Sequence, residues 1–321
     1  MSNGLTDIPG IEVGHASDYD AITGCTVIIC KQGAVGGVDV RGSATGTQEL
    51  ATLDPLHITP TVHAIVLAGG SAFGLEAASG VRRALERQKV GFDTGVARVP
   101  IVAGAILFDL GIGKSTVRPT REMGEAAVVA ASTAPVREGA IGAGTGATVG
   151  KVRGMKQAMK SGIGSATVWL GGEYSSVRVA ALAAVNALGD VRDPETGQII
   201  AGTRESADSM NLADSSRILK SGGRQGGFPA ARNTTLVAVA TNAKLSKVGA
   251  NKLAQLASLG VARTIQPVWT MSDGDVTFAL SCGEETAPVD ALGVAAAEAV
   301  SQAIVRAVRL APSMGGVPGL G

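Results

Sequence analysis

Short apolar, β-branched runs alternate along the chain with longer stretches in which apolar positions recur every three to four residues. The runs Thr26–Cys30, Val62–Leu67, Ser176–Val185, Thr235–Thr241 and Val276–Ser281 predict strands, and the uninterrupted ones predict burial on both faces. The three-to-four spacing predicts helices over Gly74–Lys89, where Leu75, Ala78, Val81 and Leu85 share a face, and over Arg121–Ser132, Lys247–Leu259 and Ala287–Leu310. This is a mixed α/β pattern without internal repeat, expected to fold as one domain over residues 1–321. Two stretches follow neither period. Gly139–Gly164 is glycine-rich, and Ala201–Arg232 is polar and closes with Ser221-Gly-Gly-Arg-Gln-Gly-Gly-Phe-Pro-Ala-Ala-Arg232, the pattern of a linker or an exposed processing loop. Asn233-Thr234 then leads straight into an apolar run, which puts Thr234 at the first position of a buried strand.

Composition narrows the field. The 321 residues include 45 Gly, about twice the usual share, but only two Trp, two Tyr and five Phe, so the core is built from Ala, Val, Ile and Leu. Lys plus Arg (28) nearly balances Asp plus Glu (27) and no basic run stands out, which argues against a nucleic-acid partner and for a small molecule or peptide. Cys25, Cys30 and Cys282 form no CxxC pair, and the polar start Met1-Ser2-Asn3-Gly4 opens no leader, so a cytoplasmic chain without a disulfide framework is expected. The apolar stretch Gly293–Ala311 is cut by Glu298, Gln302, Arg306 and Arg309, against a membrane span. His15, His57 and His63 lack metal-ligand spacing, and neither a metal nor an organic cofactor is expected.

Three near-motifs fail on inspection. Gly113-Lys114-Ser115 ends like a phosphate loop, but Phe108 occupies the place of the required glycine. Gly142-Ala-Gly144-Thr-Gly146-Ala147 imitates a dinucleotide fingerprint without a strand before it or a helix opening at it. In Gly69-Gly70-Ser71-Ala72-Phe73-Gly74, Phe73 breaks the GxSxG spacing. The turn after Ser71 still offers backbone N–H donors to a carbonyl oxygen, so Ser71, with Gly144 and Thr145 of the second glycine turn, is a candidate substrate-binding position.

The sharper pairing is Asn233-Thr234 with Asp273-Gly274-Asp275. A threonine hydroxyl is a weak nucleophile unless a base lies beside it, and its own α-amine, with an ordinary pKa of about 7.7–8.0, is such a base once the chain is cut before it. An internal threonine can make that cut by attacking the preceding carbonyl. Read from the residues alone, a turn followed by a β-branched strand starter, and an Asx turn at the aspartates, explain both segments at least as well.

A wider pattern shifts that balance. Leu5-Thr-Asp-Ile-Pro-Gly-Ile-Glu-Val-Gly-His15, Leu67-Ala-Gly-Gly-Ser-Ala-Phe-Gly-Leu75, Gly142–Ala147, Met159-Lys-Ser-Gly-Ile-Gly164, Val185-Asn186-Ala187, Asn233-Thr-Thr-Leu236 and Asp273-Gly-Asp275 together resemble the DmpA-like family of N-terminal nucleophile hydrolases over almost the whole chain. That family holds aminopeptidases, β-peptidyl aminopeptidases and 6-aminohexanoate (nylon) oligomer hydrolases. The resemblance implies a four-layer αββα sandwich, cleavage into chains 1–233 and 234–321, and a homo-oligomer, a tetramer of cleaved protomers. It implies Thr234 as nucleophile, the Asn233–Thr234 bond as the cleavage site, and Asn186 as an oxyanion donor. Lys160 would lower the amine pKa, with Lys156 as the alternative for that role, and Asp273 and Asp275 would orient the nucleophile. Aminopeptidase members pair Gly-Ser with Ser-x-Glu, whereas this chain has Asn-Thr and Asp-x-Asp and looks more like the nylon-oligomer branch. The expected substrate is a small peptide or an aliphatic oligoamide. An acyltransferase of the ornithine-acetyltransferase kind and a non-catalytic binding protein are the competing readings.

Overall fold

The computed structural model describes residues 4–222 and 233–321. Eight principal strands run in chain order: β1 (Ile11–Asp18), β2 (Thr23–Val40), β3 (Val62–Ala68), β4 (Val102–Ile106), β5 (Ile163–Trp169), β6 (Arg178–Asn186), β7 (Thr234–Ala243) and β8 (Val276–Glu285). Five helices accompany them: α1 (Glu76–Arg87), α2 (Arg121–Val129), α3 (Ser215–Lys220), α4 (Lys247–Thr264) and α5 (Val289–Arg309). β2 belongs to two sheets. Its first half pairs antiparallel with β1 and β3, and β3 runs parallel to β4. Its second half pairs antiparallel with β8, which runs parallel to β7, and β6 and β5 follow antiparallel. The switch falls where the register slips between Ile29 and Ala34.

Strand alternation sorts the side chains into three apolar layers. Ile28, Ile65 and Leu67 of one sheet face Leu182, Leu236, Ala238, Phe278 and Leu280 of the other. The opposite faces carry Val27, Ile29 and Val66 against α1 and α2, and Val179, Val237, Val239 and Ala279 against α4 and α5. The result is the expected αββα sandwich, and every residue of β7 is buried, as its unbroken apolar run requires. Glycine and alanine let the layers close up: a Cβ on Gly164 of β5 would lie 2.0 Å from the Ala303 carbonyl of α5. By length and composition α5 could span a membrane, but 67% of its most apolar stretch is buried in the fold.

All five sequence-predicted strands are present, as are the four helices, most with ends shifted by a few residues; β2 runs ten residues past the predicted Thr26–Cys30, because its second half continues into the other sheet. β1, β4 and β5 are additional. Val-Ala-Gly-Ala-Ile of β4 has little intrinsic β preference, and it is a strand because β3 and the two-residue edge strand Thr47–Gln48 pair with it. The aperiodic stretch Ala201–Arg232 contains α3, capped by the Asp214 side chain on the Arg217 N–H. Its glycine-rich end, from position 223 to 232, lies outside the described residues.

Candidate active site

β7 and β8 are parallel neighbours, in register from Leu236 opposite Val276, so the residues just before each strand meet at one end of the sheet. Asn233 forms a parallel bridge with Asp273. β6 arrives antiparallel and ends there too, which sets Asn186 opposite Thr234. Three segments far apart in sequence thereby converge.

The peptide bond between Asn233 and Thr234 is held from two sides. Its carbonyl oxygen accepts the Gly274 N–H at 2.7 Å, and the Thr234 hydroxyl donates to the same oxygen at 2.5 Å. Thr234 is 3% exposed. Gly274 is glycine for lack of space, because a Cβ there would stand 2.9 Å from Thr234 Oγ1 and 2.6 Å from the Ala44 carbonyl. The Asn233 side chain donates to the Ser272 carbonyl at 3.2 Å, while its Oδ1 is buried without a hydrogen-bond partner among the described residues. The loop after β2 clamps the aspartate turn from outside: Ala44 N–H donates to the Asp273 carbonyl, and Arg41 and Gly42 N–H to that of Asp275.

The two carboxylates are buried side by side. Asp275 Oδ1 accepts the Thr235 N–H at 2.5 Å, and Asp273 Oδ2 accepts the N–H (2.9 Å) and hydroxyl (2.7 Å) of Thr270. Burial and the Asp273 charge push Asp275 up to about 8, and burial raises Asp273 as well. Two like charges in a place poor in water disfavour the ionisation of both carboxyls at once.

Lys151 is the lysine that faces them, and no sequence pattern singles it out. Its ammonium donates to the Asn186 backbone carbonyl at 2.8 Å and to Asn186 Oδ1 at 2.7 Å. Leu188 links the groups, accepting the Lys151 N–H through its carbonyl and donating its own N–H to the Asp273 carboxylate. Burial brings Lys151 down to about 7 against the pull of Asp273, Asp275 and Asp109. Lys160 is placed differently. It is fully buried, and its ammonium donates to the carbonyls of Gly144 (3.1 Å), Ala147 (2.9 Å) and Ser161 (2.5 Å). Lys156 is exposed on a short turn.

The remaining candidates fall into two groups. Asn186 donates its amide to the Phe108 carbonyl at 3.0 Å and accepts the Thr148 N–H at 3.1 Å, so it is fixed beside Thr234 by the glycine-rich turn and by the segment after β4. Ser71, at φ 55°, donates its N–H to the Leu107 carbonyl, and Gly70 donates to Asp109 at 2.6 Å, which places that turn on the same segment. Gly144 and Thr145 are buried, and the Thr145 hydroxyl is taken up by the Gly142 carbonyl and Ser17, so both support the turn rather than line open space. Asp109, a second residue that no motif marks, is buried between Thr23, Gly70 and the two lysines, and burial raises its pKa.

The arrangement puts a hydroxyl against a peptide carbonyl whose oxygen already receives a backbone N–H, with groups that titrate near neutrality next to it. That suits attack of the hydroxyl on its own preceding carbonyl and, once an amine is exposed, amide hydrolysis by the same hydroxyl.

Comparison with known proteins points to amide-bond hydrolysis. The model of peptidase family S58 matches residues 3–320. An uncharacterized aminopeptidase of Mycobacterium tuberculosis is 39% identical, over 98% of this chain and 96% of the relative. A 6-aminohexanoate-oligomer endohydrolase of Kocuria sp. is 31% identical, over 94% of this chain and 85% of the relative. Among solved structures, a Burkholderia sp. beta-aminopeptidase is 26% identical with a TM-score of 0.68, over 99% of this chain and 91% of that one. The L-aminopeptidase D-Ala-esterase/amidase of Ochrobactrum anthropi, described as a variant of the Ntn-hydrolase fold, shares the fold at 19% identity, with a TM-score of 0.72 over 98% and 88% of the two chains.

Proposed function

The chain belongs to peptidase family S58 and is an amide-bond hydrolase, and from that premise we propose that it matures by cutting itself before Thr234 and then works through that residue. One observation carries the reading: the Thr234 hydroxyl and the Gly274 N–H meet on the Asn233 carbonyl oxygen, 2.5 and 2.7 Å away. In the self-cleavage step Thr234 Oγ1 adds to the Asn233 carbonyl carbon while Gly274 N–H stabilises the oxygen as it becomes negative. Collapse transfers the acyl group from nitrogen to oxygen, and water hydrolyses the ester. The products are chains of 233 and 88 residues, the shorter beginning with a free threonine amine.

In the mature enzyme that amine takes the hydroxyl proton as Thr234 attacks a substrate amide, then protonates the departing amine. Water, deprotonated by the same amine, releases the acyl group. Lys151, held on Asn186 and facing the aspartates, takes the role of lowering the amine pKa. Asp273 and Asp275 hold the nucleophile's end of β7, and Asn186 braces it from β6. The reading needs neither metal nor organic cofactor.

The substrate class is a short peptide or an aliphatic oligoamide. The Asn-Thr cleavage pair and the Asp-x-Asp turn favour oligoamides of the 6-aminohexanoate type, and the similarity to named 6-aminohexanoate-oligomer endohydrolases supports this. Removal of single N-terminal residues is the second reading, favoured by the 39%-identical relatives named aminopeptidases. We take the working unit to be a cytoplasmic tetramer of cleaved protomers, which light scattering on the purified protein tests. Intact-mass analysis tests maturation: two chains that divide at Asn233–Thr234 are expected, and a fully active, uncut 321-residue chain would refute the proposal. Thr234→Ser is expected to process more slowly and remain active. A panel of amino-acid amides, β-peptides and 6-aminohexanoate oligomers then separates the two substrate readings.

A further inference from the structure

We propose that Cys30 and Cys282 are an oxidation site that cross-links the part of the chain before Thr234 to the part after it, with a small disulfide such as glutathione disulfide as co-reactant. Cys30 ends the first half of β2 and lies in the layer between the two sheets, beside Ile28. Cys282 sits on β8 immediately after Ser281, which is in register with Val35 on the second half of β2. The Ser281 hydroxyl donates to the Ala243 carbonyl and accepts the Leu245 N–H, so alternation turns Cys282 to the other face, against the same inter-sheet layer as Cys30. The register slip brings them together: Ile29 and Ala34 of β2 oppose Ala64 and Val62, only two residues apart on β3, so Cys30 lies near Ala34, whose neighbour Val35 opposes Ser281, the neighbour of Cys282.

Access is unequal in a useful way. Cys30 is 3% exposed, whereas Cys282 is partly exposed, so an oxidant meets Cys282 first. The bend of β2 just past Cys30, where register with β3 is interrupted and Lys31 and Gln32 are exposed, leaves that stretch outside a regular ladder. Cys25 is the internal control. It is five residues away on the same strand but on the opposite face, packed with Val27 and Ile29 towards α1 and α2.

The chemistry balances as follows. The Cys282 thiolate attacks one sulfur of glutathione disulfide, forms a mixed disulfide and expels one glutathione thiolate. Cys30 then loses its proton to water and attacks the Cys282 sulfur, expelling the second. Two protein thiols are oxidised and one glutathione disulfide is reduced to two glutathione thiols. The neighbouring Cys282 thiol and burial hold the Cys30 thiol well above its ordinary pKa, which makes this second step the slow one.

The inference rests on cleavage before Thr234 only for its gel readout. Purified protein is incubated with glutathione disulfide, blocked with N-ethylmaleimide in denaturant so that every remaining thiol reacts, and run on denaturing gels with and without reductant. The cleaved protein is expected to run as one cross-linked species without reductant and as two chains with it, and its intact mass to carry one maleimide adduct instead of three. Cys282→Ser and Cys30→Ala should each abolish the link, and Cys25→Ala should retain it, all with unchanged amidase activity. Three maleimide adducts after oxidation, a glutathione adduct left on Cys282, or a link surviving Cys282→Ser would overturn the proposal. If the reducing gel shows a single uncut chain, the cleavage reading fails on its own, and the adduct count still decides the cysteine pair.

Discussion

Two glycine turns approach the nucleophile's end of β7, and they differ in how they reach it. The Asp273-Gly274-Asp275 turn touches the bond before Thr234 directly, through one backbone N–H, and faces Lys151 with two raised carboxylates. The Gly142–Ala147 turn reaches it only at second hand: Lys160 gathers its carbonyls, the adjoining Thr148 N–H holds Asn186, and Asn186 stands opposite Thr234. Both lysines are brought down by burial to about 7. Lys160 donates to three backbone carbonyls and has Asp109 as its carboxylate neighbour, whereas Lys151 has Asp273 and Asp275, the pair beside Thr234, as well as Asp109. What separates two equally shifted lysines is therefore which carboxylates they face.

The strongest test removes the nucleophile that the aspartate turn serves. Thr234→Ala is expected to remain a single uncut chain on denaturing gels, with amidase activity lower by roughly four orders of magnitude or more. Gly274→Ala comes next. Its methyl meets both Thr234 Oγ1 and the Ala44 carbonyl, so processing should slow by about 10²–10³-fold, the range for a displaced oxyanion donor. Processing at the normal rate, followed over time after synthesis, would show that this turn does not act on the bond at all.

The two lysines separate the turns further. In an uncut Thr234→Ala background, Lys160→Met leaves three carbonyls without their buried donor and should cost about 3–5 kcal/mol in chemical denaturation. In the otherwise native enzyme, Lys151→Met should move the rise of activity to higher pH, because the new amine loses a neighbouring positive charge. Equal stability losses with no change in pH profile would erase the distinction.

The smallest effect is on stability against pH, again in the uncut background. The folded pKa of Asp275, about 8, stands above its ordinary 3.8, so between those values the folded chain binds more proton than the unfolded one. Its contribution is complete below about pH 4 and fades as pH rises through 8. Asp275→Asn removes that slope, and its melting temperature should gain on the parent's between pH 5 and 8. Lys151 and Lys160 act in the opposite sense at higher pH, adding stability from about 7 towards 10.5.

Much of the sandwich was legible because burial on two faces demands unbroken apolar runs: Val62–Ala68 and Thr234–Ala243 can hardly be anything else. β1 was not, since Ile-Glu-Val-Gly-His-Ala-Ser-Asp mixes polar and apolar residues on a half-covered edge. Thr234, Asp273 and Asp275 stood out because each is coupled to a local signal, an abrupt strand start or a short acidic turn. Lys151 and Asp109 carry no such signal. Their environments are assembled from β6, the aspartate turn and the Gly70 turn, up to more than a hundred residues away.

By itself the sequence determined five of the eight principal strands and four of the five α-helices, that the core would be made of small aliphatic side chains, and that a threonine would open a buried strand. Those are matters of local periodicity and composition, which act over a few residues. Only the tertiary structure decided which lysine faces the aspartates and that Gly274 N–H rests on the bond before Thr234. Strand pairing fixes which distant ends meet, and the charge state and reactivity of a buried group depend on what it meets there.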